Sequence, residues 1–372
     1  MSASVEPGRP GPLEGVRVVD LSRLLPGPYC TWLLTSLGAE VIRIDPPGGG
    51  DYARLMPPVV AGTGVFYAAI NRGKRSVILD VRSDRGRDAL HRLLETADVL
   101  VEGFKPGALA REGLAPAELR ARHPRLVIAS ISGYGQTGPL RREPGHDLNY
   151  QGYAGAVAAT ADLAPGPVQV ADLAGGALMA AVGICAALVG RGKDGQGRWL
   201  DISMTEGVLA LMGPQLAVAA AEQRDMQPSG EMLTGGYSTY RTYRCADGGL
   251  VTVGPLEPKF QLRLAQQIGQ EMLDIRPEAM AALFASRPRD AWVTLLEGCC
   301  VGPALTASEL PAHPLHVARG AFESVLGLPM ARSPFPWARS SEVAELGADT
   351  AEILGAIGLD PDTLTPRSGD AS

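Results

Sequence analysis

Cysteine is sparse in this chain, odd in number and scattered, at Cys30, Cys185, Cys245, Cys299 and Cys300. Such a set makes a poor disulfide framework, so a reducing, cytoplasmic setting is expected. Basic charge is not in excess either. Lys and Arg number 34 against 40 Asp and Glu, a formal net charge of −6, which argues against a nucleic-acid partner because that needs a broad basic face. The opening MSASVEPGRPGPLEG lacks an apolar stretch and carries one arginine. It therefore reads as neither a signal peptide nor a transit peptide. The closing GDAS is not a peroxisomal tripeptide. One hydrophobic run, Leu173 to Gly190, reaches the minimum length of a membrane span. It is rich in Gly and Ala and stands alone, so it reads as a buried helix and no membrane is expected.

What the chain does have is a regular alternation. GVRVVDLS, AEVIRID, RSVILDV, DVLVEGF and RLVIASISGYG are apolar, strand-like runs. Between them stand the helical stretches PYCTWLLTSLG, DRGRDALHRLLETA and APAELRARH. Apolar strands alternating with helices predict a mostly parallel α/β sheet covered on both faces, with ligands beyond the carboxyl ends of the strands. Residues from about Ala171 to Glu222 read as helical, broken by the turn GRGKDGQGR. YRTYRCADGGLVTVGP reads as a hairpin turning at Asp247-Gly248. The expected division is a large α/β domain over 1–225, completed by 333–372, a linker at 226–234, and a smaller α/β domain over 235–332.

Gly133-Tyr134-Gly135-Gln136-Thr137-Gly138 fits the G-x-G-x-x-G pattern of dinucleotide sites. Three features oppose that function. Pro139 follows at once, the motif comes after several strand–helix units, and no acidic strand end appears about 20 residues later. A tight loop over a ligand or a helix end is expected instead. Metal is not expected, because no cysteine or carboxylate cluster completes a ligand set around His313 and His316.

Ordered pieces across nearly the whole chain carry a family resemblance. PLEGVRVVDLSRLLPGP and EVIRIDPPGGGD come first, followed by NRGKRSVILDV, ADVLVEGFKPG, ISGYGQTGP and PGHDLNY. VADLAGG, GQGRWLDISM, CADGGLVTVGPLEPKF and LPAHPLHVARGAF follow. Together these resemble the class III CoA-transferase (CaiB/BaiF) superfamily. Gly145-His146-Asp147 and Leu256-Glu257-Pro258 resemble its alpha-methylacyl-CoA racemase branch. The resemblance implies a Rossmann-like large domain, an interlocked homodimer and an acyl-CoA substrate. Coenzyme A would be part of the substrate, with no cofactor required.

By that resemblance His146 and Asp172 form a base pair for 1,1-proton transfer at the carbon alpha to a thioester. The chemistry suits these residue types. One group removes a proton on one face and the other returns it on the opposite face, and each such group contributes about 10²–10⁴-fold in rate. Glu257 would orient the imidazole of His146, and Asp147 would support polar groups around the thioester. Asp172 is expected at a helix amino terminus whose free N–H groups bind the enolate oxygen. Gly175 and Gly176 would leave room for the acyl group. For coenzyme A, the resemblance points to Arg43, Arg72, Lys74, Arg75 and Lys105 as loop cations, with Leu79 and Tyr150 along the pantetheine. Two reactions stay open: racemisation, and CoA transfer through an anhydride at Asp172. An acyl-CoA-binding protein without activity is the third possibility. The acyl chain is not fixed by the sequence.

Overall fold

A computed structural model describes residues 10–161, 165–338 and 340–360. The first nine residues and the closing GDAS, read above for targeting signals, lie outside the described residues. The chain groups into two compact units, one of ranges 1–154, 166–211 and 319–372, the other of 155–165 and 212–318. The boundaries drawn from sequence differ from this grouping. Residues 212–225 fall with the second unit and 319–332 with the first.

In the first unit, β1 (Arg17–Asp20) leads through α1 (Pro26–Ser36) to β2 (Glu40–Asp45). A small ribbon of β3 (Val59–Val60) and β4 (Thr63–Gly64) precedes α2 (Val65–Asn71). Then come β5 (Arg75–Ile78), α3 (Asp84–Leu94), β6 (Val99–Glu102), α4 (Ala108–Arg111), α5 (Pro116–Arg122) and β7 (Val127–Ser132). After α6 (Asp147–Tyr153), a π-helical segment, Ala171–Leu178, runs straight into α7 (Met179–Asp194). β8 (Trp199–Ser203) and α8 (Met204–Leu211) follow.

The six long strands form one parallel sheet in the order β5-β2-β1-β6-β7-β8. Chain order runs outward from β1 in one direction and from β6 in the other. The topological switch therefore lies between β1 and β6, where open α/β sheets bind ligands. Val99, Leu100 and Val101 of β6 are wholly buried, as a central parallel strand requires. On α3, Ala89, Leu90, Leu93 and Leu94 face the sheet and join a core with Ile42, Leu100 and Ile128. Each such leucine contributes about 1.5–3 kcal/mol by leaving water. Ser83 caps α3 by accepting the Gly86 amide at 3.0 Å.

β8 corrects the reading of 171–222 as helix interrupted only by a turn. Trp-Leu-Asp-Ile alternates between exposed and partly buried positions, and Ser203 ends the strand buried. β7 offers an open edge to pair with, and that pairing overrides helix propensity here. The long Ala171–Asp194 helix is apolar enough to cross a membrane on length and composition alone. Ala180, Ile184 and Ala187 are buried, and the helix packs against α1, β7 and β8, while Val182 and Val189 are exposed.

The second unit holds α9 (Gly213–Ala221), then the hairpin β9 (Arg241–Arg244) and β10 (Leu250–Val253). Its turn uses Asp247-Gly248 as expected, with Gly248 at φ +81°. α10 (Pro258–Gln267), α11 (Pro277–Phe284), α12 (Arg289–Leu295), β11 (Val301–Pro303) and α13 (Pro314–Ala318) complete it. β11 joins the hairpin in an antiparallel sheet over a core of Tyr243, Phe284 and Trp292. The tail brings the ribbon β12 (Phe322–Val325) and β13 (Leu328–Ala331), then α14 (Thr350–Ala356) against β5. Asp349 locks that return by accepting the Ser76 amide at 2.8 Å and the Arg75 guanidinium at 2.9 Å.

Candidate active site

Two segments meet at Asp147. His146 is the residue before α6, and its amide donates to Asn149 Oδ1 at 3.0 Å while the Asn149 amide donates to the His146 carbonyl at 2.8 Å. That reciprocal pair fixes the backbone and leaves His146 exposed. Asp147 Oδ1 accepts the backbone amides of Ala171 at 2.7 Å and Asp172 at 3.0 Å. Its Oδ2 accepts Gln151 Nε2 at 2.6 Å. Asp147 thus caps the π-helical turn that carries Asp172, and it draws the His146 loop onto that turn. π-Helical turns recur at functional sites. The amides of Ala171 and Asp172 are therefore not free for a ligand, and the Leu173 amide bonds the Gln169 carbonyl at 2.9 Å. This corrects the expectation of open N–H groups at the helix start.

Asp172 is half-buried. Burial, with the like charge of Asp147, pushes its carboxyl up to about 7. A carboxyl poised there holds or releases a proton near neutrality. Gly175 and Gly176 serve packing rather than an acyl cavity. A Cβ on Gly175 would stand 2.6 Å from the Met204 carbonyl, and one on Gly176 would stand 2.8 Å from Met204 Cγ, so both glycines let α8 close on the helix.

Tyr150 is 7% exposed, and its hydroxyl donates to the Gly145 carbonyl. Its ring fills a slot kept open by Gly133 and Gly145, where added Cβ atoms would come within 2.2 Å and 2.7 Å of it. Tyr134 meets it edge-on at 5.1 Å. Burial, then the neighbouring Asp172, raise the Tyr150 phenol to about 12, so it stays a donor. Tyr150 braces the His146 loop from within and is not laid open as a channel wall. The Gly133–Gly138 loop opens no helix; Gly135 and Gly138 take φ +83°, and the Gln136 amide bonds the Asp201 carboxylate at 3.1 Å.

The cations expected on loops are mostly engaged inside the fold. Arg43 lies within β2, is 1% exposed, and bonds Asp51 at 2.8 Å, Asn71 at 2.9 Å and Asp45 at 3.2 Å. Lys74 is 5% exposed and reaches Asn71 and the Pro28 carbonyl at 2.9 Å and Asp20 at 3.3 Å. Burial, partly offset by Asp20, lowers its amine to about 8. Arg54 pairs with Asp45 at 3.3 Å. Three aspartates, Asp20, Asp45 and Asp51, therefore balance Arg43, Arg54 and Lys74 in one buried network. Arg72 lies over Trp32 at 4.5 Å and pairs with Glu323 at 3.0 Å. Arg75 pairs with Glu40, Asp349 and Glu352. Leu79 is a core residue, 1% exposed. Lys105, on the loop after β6, is exposed at the switch between β1 and β6.

Glu257 belongs to the second unit, where it is exposed and precedes α10. A cavity of about 720 Å³ in that unit is lined by Leu233, Gly235, Tyr240, Arg241 and Gly254 among others. One titratable group at the sheet's carboxyl edge escapes the sequence reading. Glu102, the last residue of β6, is 4% exposed, and burial pushes it up to about 7. A lone acid at the end of the apolar run DVLVEGF was the available signal.

Residues 13–348 match the model of CoA-transferase family III. The chain belongs to CoA-transferase family III. Within this family it is 33% identical to alpha-methylacyl-CoA racemase of Homo sapiens, over 96% of each chain. It is 41% identical to acetyl-CoA:oxalate CoA-transferase of Acetobacter aceti, over 55% of this chain and 54% of that one. Among solved structures, a CaiB/BaiF family protein from Brucella suis superposes with a TM-score of 0.81 at 28% identity, over 94% of this chain and 100% of that one. The chain is thus an enzyme of the family III transferase and racemase group, and an acyl-CoA substrate is consistent with membership.

Proposed function

We propose that this family III enzyme racemises 2-methylacyl-CoA thioesters by 1,1-proton transfer, with His146 and Asp172 as the two bases. One observation carries the reading. Asp147 grips the amides at the start of the Asp172 helix, so a histidine loop converges on a carboxyl whose proton affinity lies near neutrality. Racemisation needs that pairing. One group takes the proton from the carbon alpha to the thioester, the electrons shift into the thioester carbonyl as an enolate, and the other group returns a proton to the opposite face. Because Asp147 occupies the amides of Ala171 and Asp172, the helix favours the oxyanion through its dipole rather than through those two N–H groups. The resemblance to the human racemase over nearly full length supports the same reading.

Lys105 is the exposed cation proposed to meet the coenzyme's phosphates, as a point charge. Glu257 is proposed to orient His146 across an interlocked homodimer, and sizing at micromolar concentration tests that: a monomer contradicts it. No cofactor beyond the coenzyme A thioester is proposed.

The transferase reading stays in play through the Acetobacter aceti relative. There Asp172 would attack the thioester carbonyl, expel the coenzyme A thiolate and form an anhydride, and an acceptor acid would be required. His146→Ala separates the two. Under racemisation it abolishes epimerisation with CoA binding intact. Full activity of that variant, with an acyl-enzyme at Asp172 trapped by hydroxylamine, overturns the racemase reading.

A further inference from the structure

Glu102 ends β6 at the switch point, and neither proton transfer nor any ion pair among the described residues uses it. Its Oε2 accepts the Phe104 amide at 2.8 Å, two residues on. That bond folds the start of the Gly103–Gly107 loop back on the strand, and Gly107 turns the far end at φ +81° into α4. Lys105 stands in the middle of this loop. The Ser130 hydroxyl of β7 favours the ionised form of Glu102, and it accepts Trp199 Nε1 of β8 at 3.0 Å. Its carboxyl thus ties the end of β6, beside β7 and β8, to a loop that carries an exposed cation at the switch.

We infer that Glu102 is a positioning residue: its carboxylate holds the Gly103–Gly107 loop in the shape that presents Lys105 to coenzyme A, and protonating it loosens that loop and weakens acyl-CoA capture. The inference rests on the proposed contact between Lys105 and the coenzyme. An ionised carboxylate is the stronger acceptor for the Phe104 amide. The charged groups around Glu102 are few. Asp201 on β8 adds a like charge that favours the protonated form, Ser130 and the Phe104 amide favour the ionised form, and Lys105 is the cation of its own loop. With burial dominant, the change falls near pH 7.

The test is calorimetric binding of coenzyme A at pH 6 and pH 8.5 to the full-length parent, Glu102→Gln, Ser130→Ala and Lys105→Ala, with kcat and KM for a 2-methylacyl-CoA. The coenzyme's own phosphate ionisation acts on every variant alike, so the readout is the difference between variants. From pH 8.5 to pH 6 the parent is expected to lose at least about threefold more affinity than Glu102→Gln, which binds weakly at both values. At pH 8.5 Glu102→Gln raises KM and keeps kcat within about twofold. Ser130→Ala, by removing a group that favours the ionised form, moves the parent's step to higher pH. Parallel profiles for the parent and Glu102→Gln, or a loss in kcat with unchanged binding, overturn the inference. If Lys105→Ala weakens binding while Glu102→Gln behaves as the parent, this inference alone fails. If Lys105→Ala binds as the parent does, the placement of coenzyme A fails with it.

Discussion

Asp172→Asn should inactivate the enzyme and yet stabilise it, increasingly so as the pH rises. The carboxyl's folded-state value of about 7 lies above its ordinary 3.8, because burial and Asp147 oppose its charge. A group raised in this way favours folding most at low pH, and that contribution is lost as pH rises through the folded value. Between pH 5 and pH 8 the change covers about two units, at about 1.36 kcal/mol each, or about 2.7 kcal/mol. Half-burial and solvent screening reduce that by about half, to about 1.4 kcal/mol. An amide has the same shape and no charge to desolvate. Thermal unfolding of the parent and the variant, followed at pH 5, 6, 7 and 8, reads the difference. The gap in melting temperature should widen by about 2 °C across that range in favour of Asp172→Asn. A gap that stays constant with pH would refute the assignment of a raised carboxyl at this position.

Two further outcomes follow from the same geometry. Asp147→Asn keeps an acceptor for the Ala171 and Asp172 amides but removes the like charge, so the limb of the pH–rate profile set by Asp172 should move to lower pH; an unmoved limb contradicts the coupling. Arg43→Ala should cost about 3–5 kcal/mol of stability, because it strips Asp51 of its ion pair in the core and leaves Asp45 with Arg54 alone, whereas Lys105→Ala should leave the melting temperature unchanged and weaken every acyl-CoA by a similar, salt-dependent factor of about 3–10. Chemical denaturation alongside binding at two ionic strengths checks both, and a selective binding defect in a fully stable Arg43→Ala would contradict the buried network.

Much of the fold was legible because its signals are local. The runs from GVRVVDLS to RLVIASISGYG became β1, β2, β5, β6 and β7, and Asp247-Gly248 made its turn. β8 was not legible, since its five residues gain strand identity from the free edge of β7. The same limit governed the cations. Arg43 and Lys74 looked like loop charges because their partners come from the ends of β1 and β2, Asp20 and Asp45, and from the loop after β2, Asp51, which only the fold brings together. The pairing of His146 and Asp172 came from family resemblance, while the cap that links them, Asp147 on the amides of Ala171 and Asp172, spans 25 residues and left no local trace.

The central claim is proton exchange at the carbon alpha to a thioester without any second acid. Its most direct measurement is incubation of one epimer of a 2-methylacyl-CoA with the enzyme in deuterated water, with no acceptor carboxylate present, followed by mass spectrometry and chiral analysis. The account expects deuterium at the alpha carbon together with growth of the opposite epimer, both lost in Asp172→Asn. Absence of exchange under those conditions, with CoA transfer appearing once a carboxylic acid is added, would contradict it.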